Sequence, residues 1–290
     1  MKDKGTFFSK KNTLRIRGKI IELSAPKIMG ILNVTPDSFY DGGRYTNEQL
    51  IIEKVSQMIT EGADFIDVGA FSSRPGAALV SEIEERKRLE PALDEIRNHF
   101  PDIILSVDTY RSGIAKYAVK RHDVNIINDI FAGTADDNMY HTVADLGVPY
   151  IIMHLQGTPQ DMQKNPVYKN VTKEIIMFFS ERLKHIRHAG VNDVIIDPGF
   201  GFGKTIEHNY TLLKQLDAFK IFELPVLVGL SRKSFIYKAL NTVPEESLNG
   251  TTVLNTIALI NGASILRVHD VKEASEAISL TQMYLHATDG

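Results

Sequence analysis

The chain has 290 residues, with 33 Lys and Arg against 36 Asp and Glu and a formal net charge of −3. Hydrophobic residues make up 43% and charged residues 24%, which excludes a largely disordered or collagen-like chain. So even a balance of charge gives no reason to expect a nucleic-acid partner, and the lack of cysteine excludes disulfides, thiolate metal sites and thiol nucleophiles.

The first residues carry Lys2, Lys4, Lys10, Lys11, Arg15 and Arg17, but no continuous apolar segment follows as a signal peptide requires. No apolar run approaches the roughly 18 residues of a membrane span. A cytoplasmic protein is expected. Residues 1–26 read as an N-terminal extension forming a β-hairpin, and 27–290 as one continuous domain with no linker. From there, short β-type runs alternate with helical stretches. The runs are 27–33, 65–68, 103–107, 124–128, 148–153, 194–197, 225–228 and 264–268. Helices are expected over 46–61, 81–98, 111–120, 134–146, 171–188, 206–216, 247–261 and 271–285. Thr46 to Gln49, Ser81 to Glu84 and Thr134 to Asp137 carry capping signals at three of their starts. Eight alternations of this length predict an α/β fold, a (β/α)8 TIM barrel, over the competing doubly wound open sheet.

In such a barrel, functional groups come from the C-terminal ends of the strands. Polar residues gather there: Asn33, Asp67, Asp108, Asn128 and Asp129, His154, Asp197, the run Ser231-Arg232-Lys233-Ser234, and Arg267 with His269 and Asp270. Any one of them would be unremarkable as a strand or helix cap. Eight ends converging on one mouth point instead to a ligand. Arg74, Lys233, Arg267 and His269 form a cationic set near the phosphate corner after strands seven and eight. Asp108, Asp197 and Asn128 offer hydrogen-bonding partners to a planar, nitrogen-rich ring. A flat heterocycle with a phosphate tail satisfies both. Gly199 to Lys204 is not a P-loop, because its outer glycines are four apart rather than five. His185 and His188 lack a companion carboxylate motif and read as a solvated helix face. Asp67 is expected to orient a neighbour, Asp129 to cap a turn, Asp270 to cap the last helix, and His154 to pack or support.

The ordered motifs resemble the dihydropteroate synthase family. They are Gly30-Ile-Leu-Asn33-Val-Thr-Pro-Asp-Ser-Phe39 with Asp41-Gly-Gly43, Ser73-Arg74-Pro75-Gly76-Ala77, Ser106-Val-Asp108-Thr109, Ile127-Asn128-Asp129, Met153-His154, Asp197 through Lys204, Ser231 through Ser234, and Arg267-Val-His269-Asp270. The resemblance spans about 28–277. It implies a dimeric barrel enzyme of folate biosynthesis, a transferase forming a C–N bond. Such an enzyme joins 6-hydroxymethyl-7,8-dihydropterin diphosphate to p-aminobenzoate with Mg²⁺, releasing 7,8-dihydropteroate and diphosphate. Sulfonamides occupy the p-aminobenzoate site in that family.

Carried over by motif, Asp108, Asn128, Met153, Asp197, Phe202 and Lys233 would hold the pterin. Ser73, Arg74, Arg267 and His269 would hold diphosphate, with Asn33 on the metal. Phe39, Pro75, Lys233 and Ser234 would frame p-aminobenzoate. Asp108, Lys233, Asp41 and Arg74 would act in catalysis. The implied chemistry is an SN1-like substitution: Asp108, with Asp41 on the first loop, stabilises the pterin methylene cation while cationic groups stabilise the departing diphosphate. Two positions depart from the family pattern. Phe71 replaces a frequent acid, and Tyr40 stands where Ser is common. The rivals are a methyltetrahydrofolate:corrinoid-type methyltransferase, which has no use for the cationic corner, and a non-catalytic pterin-binding paralogue, which would be expected to have lost Arg74, Lys233 or Arg267. A Schiff-base aldolase barrel would want its lysine inside a strand, and Lys233 lies in a loop.

Overall fold

The computed structural model describes residues 12–35, 44–71, 80–158 and 160–288. Two short strands, β1 (Thr13–Ile16) and β2 (Lys19–Glu22), pair antiparallel. Arg17 and Gly18 turn the chain with φ of 49° and 74°. Positive φ at both central residues matches the right-handed twist of a hairpin, which is why Gly follows Arg here.

Eight parallel strands follow: β3 (Lys27–Asn33), β4 (Phe65–Gly69), β5 (Ile104–Asp108), β6 (Ile126–Asp129), β7 (Tyr150–Met153), β8 (Val194–Asp197), β9 (Leu227–Val228) and β10 (Ile265–Val268). They lie in the order β8-β7-β6-β5-β4-β3-β10-β9. A parallel bridge between Ile196 and Val226 joins β8 to the β9 segment. There the Ile196 N–H donates to the Pro225 carbonyl at 3.1 Å. The ring is therefore nearly continuous, and the expected barrel with its N-terminal hairpin is present.

The period-two alternation of each strand builds two layers. Ile28, Ile66, Leu105, Ile127, Ile152, Ile196, Val228 and Leu266 face outward into one large apolar cluster with the helices. Met29, Phe65, Ile126, Ile151, Ile195, Leu227 and Ile265 face inward. Leu14, Ile16 and Leu23 join that inner cluster, so the hairpin plugs the lower end of the barrel.

The helices are α1 (Arg44–Thr60), α2 (Glu82–His99), α3 (Ser112–His122), α4 (Met139–Leu146), α5 (Val171–His188), α6 (Ile206–Lys214), α7 (Ser234–Ala239), α8 (Leu248–Ile260) and α9 (Val271–His286). Ser81 caps α2, accepting the Glu84 N–H at 3.2 Å. Two expected starts are corrected. The first helix is already under way at Arg44, so Thr46 lies inside it. Thr134 turns its hydroxyl back to the Phe131 carbonyl, and α4 begins only at Met139. Among the described residues, no helix is long and apolar enough to cross a membrane.

Candidate active site

The inward face changes chemistry along each strand. β4 passes from Phe65 to Asp67 to Gly69, β6 from Ile126 to Asn128, β8 from Ile195 to Asp197, and β10 from Ile265 to Arg267. The apolar floor thus gives way two residues later to polar groups. Register levels them: Asn33 pairs with Gly69, Gly69 with Asp108, and Asp108 with Asn128, while Met153 pairs with Asp197.

Arg267 ties this layer together. Its Nε donates to Asp67 Oδ2 at 2.7 Å and its Nη2 to Asp108 Oδ2 at 3.1 Å. Asp67 Oδ2 also accepts from Asn128 Nδ2 at 3.0 Å. The other carboxylate oxygens, Asp67 Oδ1 and Asp108 Oδ1, are buried with no hydrogen-bond partner. Burial raises the Asp108 pKa to about 7 against the pull of Arg267, and the nearby Asp67 charge raises it further. An unpartnered carboxylate oxygen at a barrel mouth is an acceptor awaiting a donor. Asp197 is likewise raised by burial, against the Gly199 N–H that binds its Oδ1 at 2.8 Å and the Lys233 charge.

Lys233 lies with its Nζ 4.0 Å from the centre of the Phe202 ring. Burial, then the Arg267 charge, lower its pKa to about 8. Phe202 and Met153 belong to a small apolar cluster with Ile130 and Met162. Phe71 packs against that cluster and meets the Tyr110 ring edge-on at 5.4 Å, so the position that departs from the family pattern becomes part of an apolar wall. Ser234 opens α7 directly after Lys233. His269 is tied by its backbone N–H and Nδ1 to Ser231 Oγ at 3.2 and 3.1 Å. Burial and Arg267 hold its pKa down at about 4.

Asp129 caps the turn as expected, accepting the Phe131 and Gly133 N–H groups at 2.8 and 2.7 Å and the Tyr150 hydroxyl at 2.6 Å. Asp270 does not cap α9 with its side chain. It holds Arg232 through two bonds, at 3.0 and 2.6 Å. Asp67 orients its neighbours as expected, and it holds two of them, Arg267 and Asn128, through one oxygen. Its place two residues beyond Phe65, on the inward face, puts it in the polar layer. Phe39, Tyr40, Asp41, Ser73, Arg74 and Pro75 lie outside the described residues.

A family model described as "Pterin binding enzyme" matches residues 29–269. The dihydropteroate synthase of Escherichia coli K12 is 42% identical over 275 residues, covering 94% of this chain and 96% of that one. The chain belongs to the dihydropteroate synthase family. Solved structures of the family agree in shape. The Yersinia pestis enzyme in complex with a sulfonamide drug superposes with a TM-score of 0.88 at 41% identity, covering 95% of this chain and all, 100%, of that one. The Xanthomonas albilineans enzyme with 4-aminobenzoic acid gives 0.88 at 36% identity, covering 96% and 99%. Family membership makes the mouth of the barrel, rather than its outer surface, the place to look for chemistry.

Proposed function

We propose that this chain is a dihydropteroate synthase, condensing 6-hydroxymethyl-7,8-dihydropterin diphosphate with p-aminobenzoate to give 7,8-dihydropteroate and diphosphate. One observation carries the reading beyond family membership. Asp108 bonds directly to the cationic Arg267 and Asn128 joins it through Asp67, while the buried Asp197 feels the charges of Lys233 and Arg267 from the same mouth. That arrangement suits a heterocycle and its anionic tail bound side by side.

The geometry supports the roles of the described residues, and those of Phe39, Asp41, Ser73, Arg74 and Pro75 rest on the family resemblance alone. Asp108 Oδ1 accepts from the ring's N–H groups, Asn128 completes the polar edge, and Asp197 takes the far side. Met153 and Phe202 give the ring apolar faces, and Lys233 caps Phe202. Arg267 and His269 take the diphosphate, and the family resemblance adds Ser73 and Arg74 to them. Phe39, Pro75, Lys233 and Ser234 frame the arylamine. An arylamine is a weak nucleophile, so the leaving group must be neutralised before it departs. The ionised Asp108 stabilises the positive charge left on the pterin methylene, with Asp41 assisting, in an SN1-like substitution.

Among the described residues, no three His, Asp or Glu side chains cluster as a resident metal cage. Asn33 contributes one amide oxygen in the same register row as Asp108. An amide oxygen suits Mg²⁺, a hard cation that keeps waters and takes ligands from substrate phosphates. Asn33 would hold one position, and the ion would supply charge neutralisation for diphosphate.

A homodimer is part of the reading. Val253, Ile257 and Ile260 on α8 and Leu280, Met283 and Tyr284 on α9 are exposed, and the two helices are neighbours. Exposed apolar side chains on two neighbouring helices favour burial against a second copy. A cytoplasmic location is proposed on the class of reaction. The test is release of diphosphate from pterin diphosphate and Mg²⁺ with p-aminobenzoate present or omitted. Release dependent on p-aminobenzoate, and lost in Arg267→Ala, is expected. Pterin binding without any diphosphate release would favour the methyltransferase-type or non-catalytic rival.

A further inference from the structure

Lys204 is buried, and none of the roles above uses it. Its Nζ donates to the carbonyls of Gly199 at 2.8 Å and Phe202 at 3.0 Å, and to His154 Nδ1 at 3.1 Å, with the His154 carbonyl at 3.5 Å. An ammonium has three protons, and these acceptors use all three. Every one of them is uncharged. Burial lowers the Lys204 pKa to about 7 against the pull of the nearby Asp197 carboxylate, and holding an ammonium there is costly, so its retention calls for a reason.

The reason lies in the loop it fastens. Gly199 and Gly203 have φ of 73° and 58°, and bring the backbone hard against the strand β7 exit. A Cβ on Gly199 would stand 1.9 Å from the His154 carbonyl oxygen, and one on Gly203 would stand 2.4 Å from that of Gln156. Only glycine permits the approach. The approach converges carbonyl oxygens whose dipoles repel, and the ammonium sits where it relieves them. Two pterin-pocket groups hang on the same residues. The Gly199 N–H binds Asp197 Oδ1, and Phe202 carries the ring under Lys233. The loop's outer side is tied separately, by Asn209 Oδ1 to the Gly201 N–H, Gln163 to the Gly201 carbonyl and Tyr168 to the Gly203 carbonyl.

We propose that Lys204 is a positioning residue for the pterin: its buried ammonium gathers the carbonyls of Gly199, Phe202 and His154 and thereby fixes Asp197 and Phe202 against the ring. The inference rests on the proposed function for its substrate. It also assigns His154 a part, as the acceptor that completes the cradle.

The test compares wild type with Lys204→Met, which keeps the stem and removes the three donors. KM for pterin diphosphate is expected to rise about tenfold, while KM for p-aminobenzoate changes by less than about twofold. Methylammonium added to Lys204→Ala is expected to restore part of the pterin KM. A purely stabilising lysine would lower the melting temperature and the active fraction but leave both KM values alone, and that result would overturn the proposal, as would a parallel change in both. If Lys204→Met does not fold, His154→Phe carries the test. It keeps an aromatic ring beside Tyr168 and Phe178 and removes one acceptor, so a smaller pterin-specific rise is expected, about threefold. No turnover by wild type would refute the functional reading instead. In that case amide exchange over 199–203 still decides whether the ammonium holds the loop: faster exchange in either variant supports it, and unchanged exchange overturns it.

Discussion

Replacing Asp67 by Asn tests the network at its centre. The carboxylate is fully buried and its Oδ2 serves two partners, Arg267 Nε at 2.7 Å and Asn128 Nδ2 at 3.0 Å. Asn keeps the shape and one acceptor oxygen, so both hydrogen bonds can survive and the loss is the charge. Removing one partner of a buried ion pair costs ~3–5 kcal/mol when nothing else compensates. Here Asp108 still pairs with Arg267 at 3.1 Å, and the guanidinium is partly open to solvent. The expected loss is therefore ~1–3 kcal/mol, or roughly a tenfold to hundredfold fall in kcat/KM for pterin diphosphate. A second signature separates this from general damage. The Asp67 charge helps raise Asp108, so its removal lets the Asp108 pKa fall below about 7. The acid limb of the kcat/KM profile should move to lower pH in the variant. Steady-state kinetics at saturating p-aminobenzoate across pH 5.5–9, on the order of the range these groups titrate in, reads both effects. Kinetics within twofold of wild type, with an unmoved acid limb, would refute the argument.

The same groups predict the wild-type pH profile. Asp108 must be ionised to accept from the pterin, and its carboxylate is lost as pH falls through about 7. Lys233 must carry its proton, which is lost as pH rises past about 8. A bell with its maximum between those values is expected in kcat/KM for pterin diphosphate, and a profile flat from acid to neutral pH would contradict it. Gly199→Ala meets both a left-handed φ and the His154 carbonyl, so it should cost more than ~2 kcal/mol in denaturant unfolding. Leu14→Ala should destabilise by ~2–4 kcal/mol through the cavity left in the barrel floor, with substrate KM values unchanged. A stability change below 1 kcal/mol, as an order-of-magnitude threshold, would show that the hairpin does not close the barrel.

Much of the fold was legible because strand ends in a closed parallel barrel are polar by function and strand interiors apolar by burial. The expected run 27–33 matches β3, and 194–197 matches β8. Strands seven and five of the barrel begin later than their apolar runs, at Leu227 and Tyr150. Pro225 and Pro149 offer carbonyls to the neighbouring strand there but have no N–H to donate. Helix α7 is not predicted by the sequence, because six residues are too few to show a periodicity. The misplaced start of α4 has a tertiary cause. Asp136, within the apparent capping signal, instead accepts the Ser112 N–H at the start of α3 at 2.7 Å. The site was legible as a set of residue types at strand ends, but not as a network. Nothing in the spacing of Asp67, Asn128 and Arg267 along the chain reveals that one carboxylate oxygen joins them. The pairing of Asp270 with Arg232 and the cradle around Lys204 were hidden for the same reason.

The most direct measurement is the reaction itself. Purified protein is mixed with 6-hydroxymethyl-7,8-dihydropterin diphosphate, isotopically labelled p-aminobenzoate and Mg²⁺, and the products are identified by mass. Labelled 7,8-dihydropteroate is predicted, formed in equal amount to diphosphate and abolished by EDTA. Intact substrates after prolonged incubation, with the protein folded and pterin bound, would contradict the account.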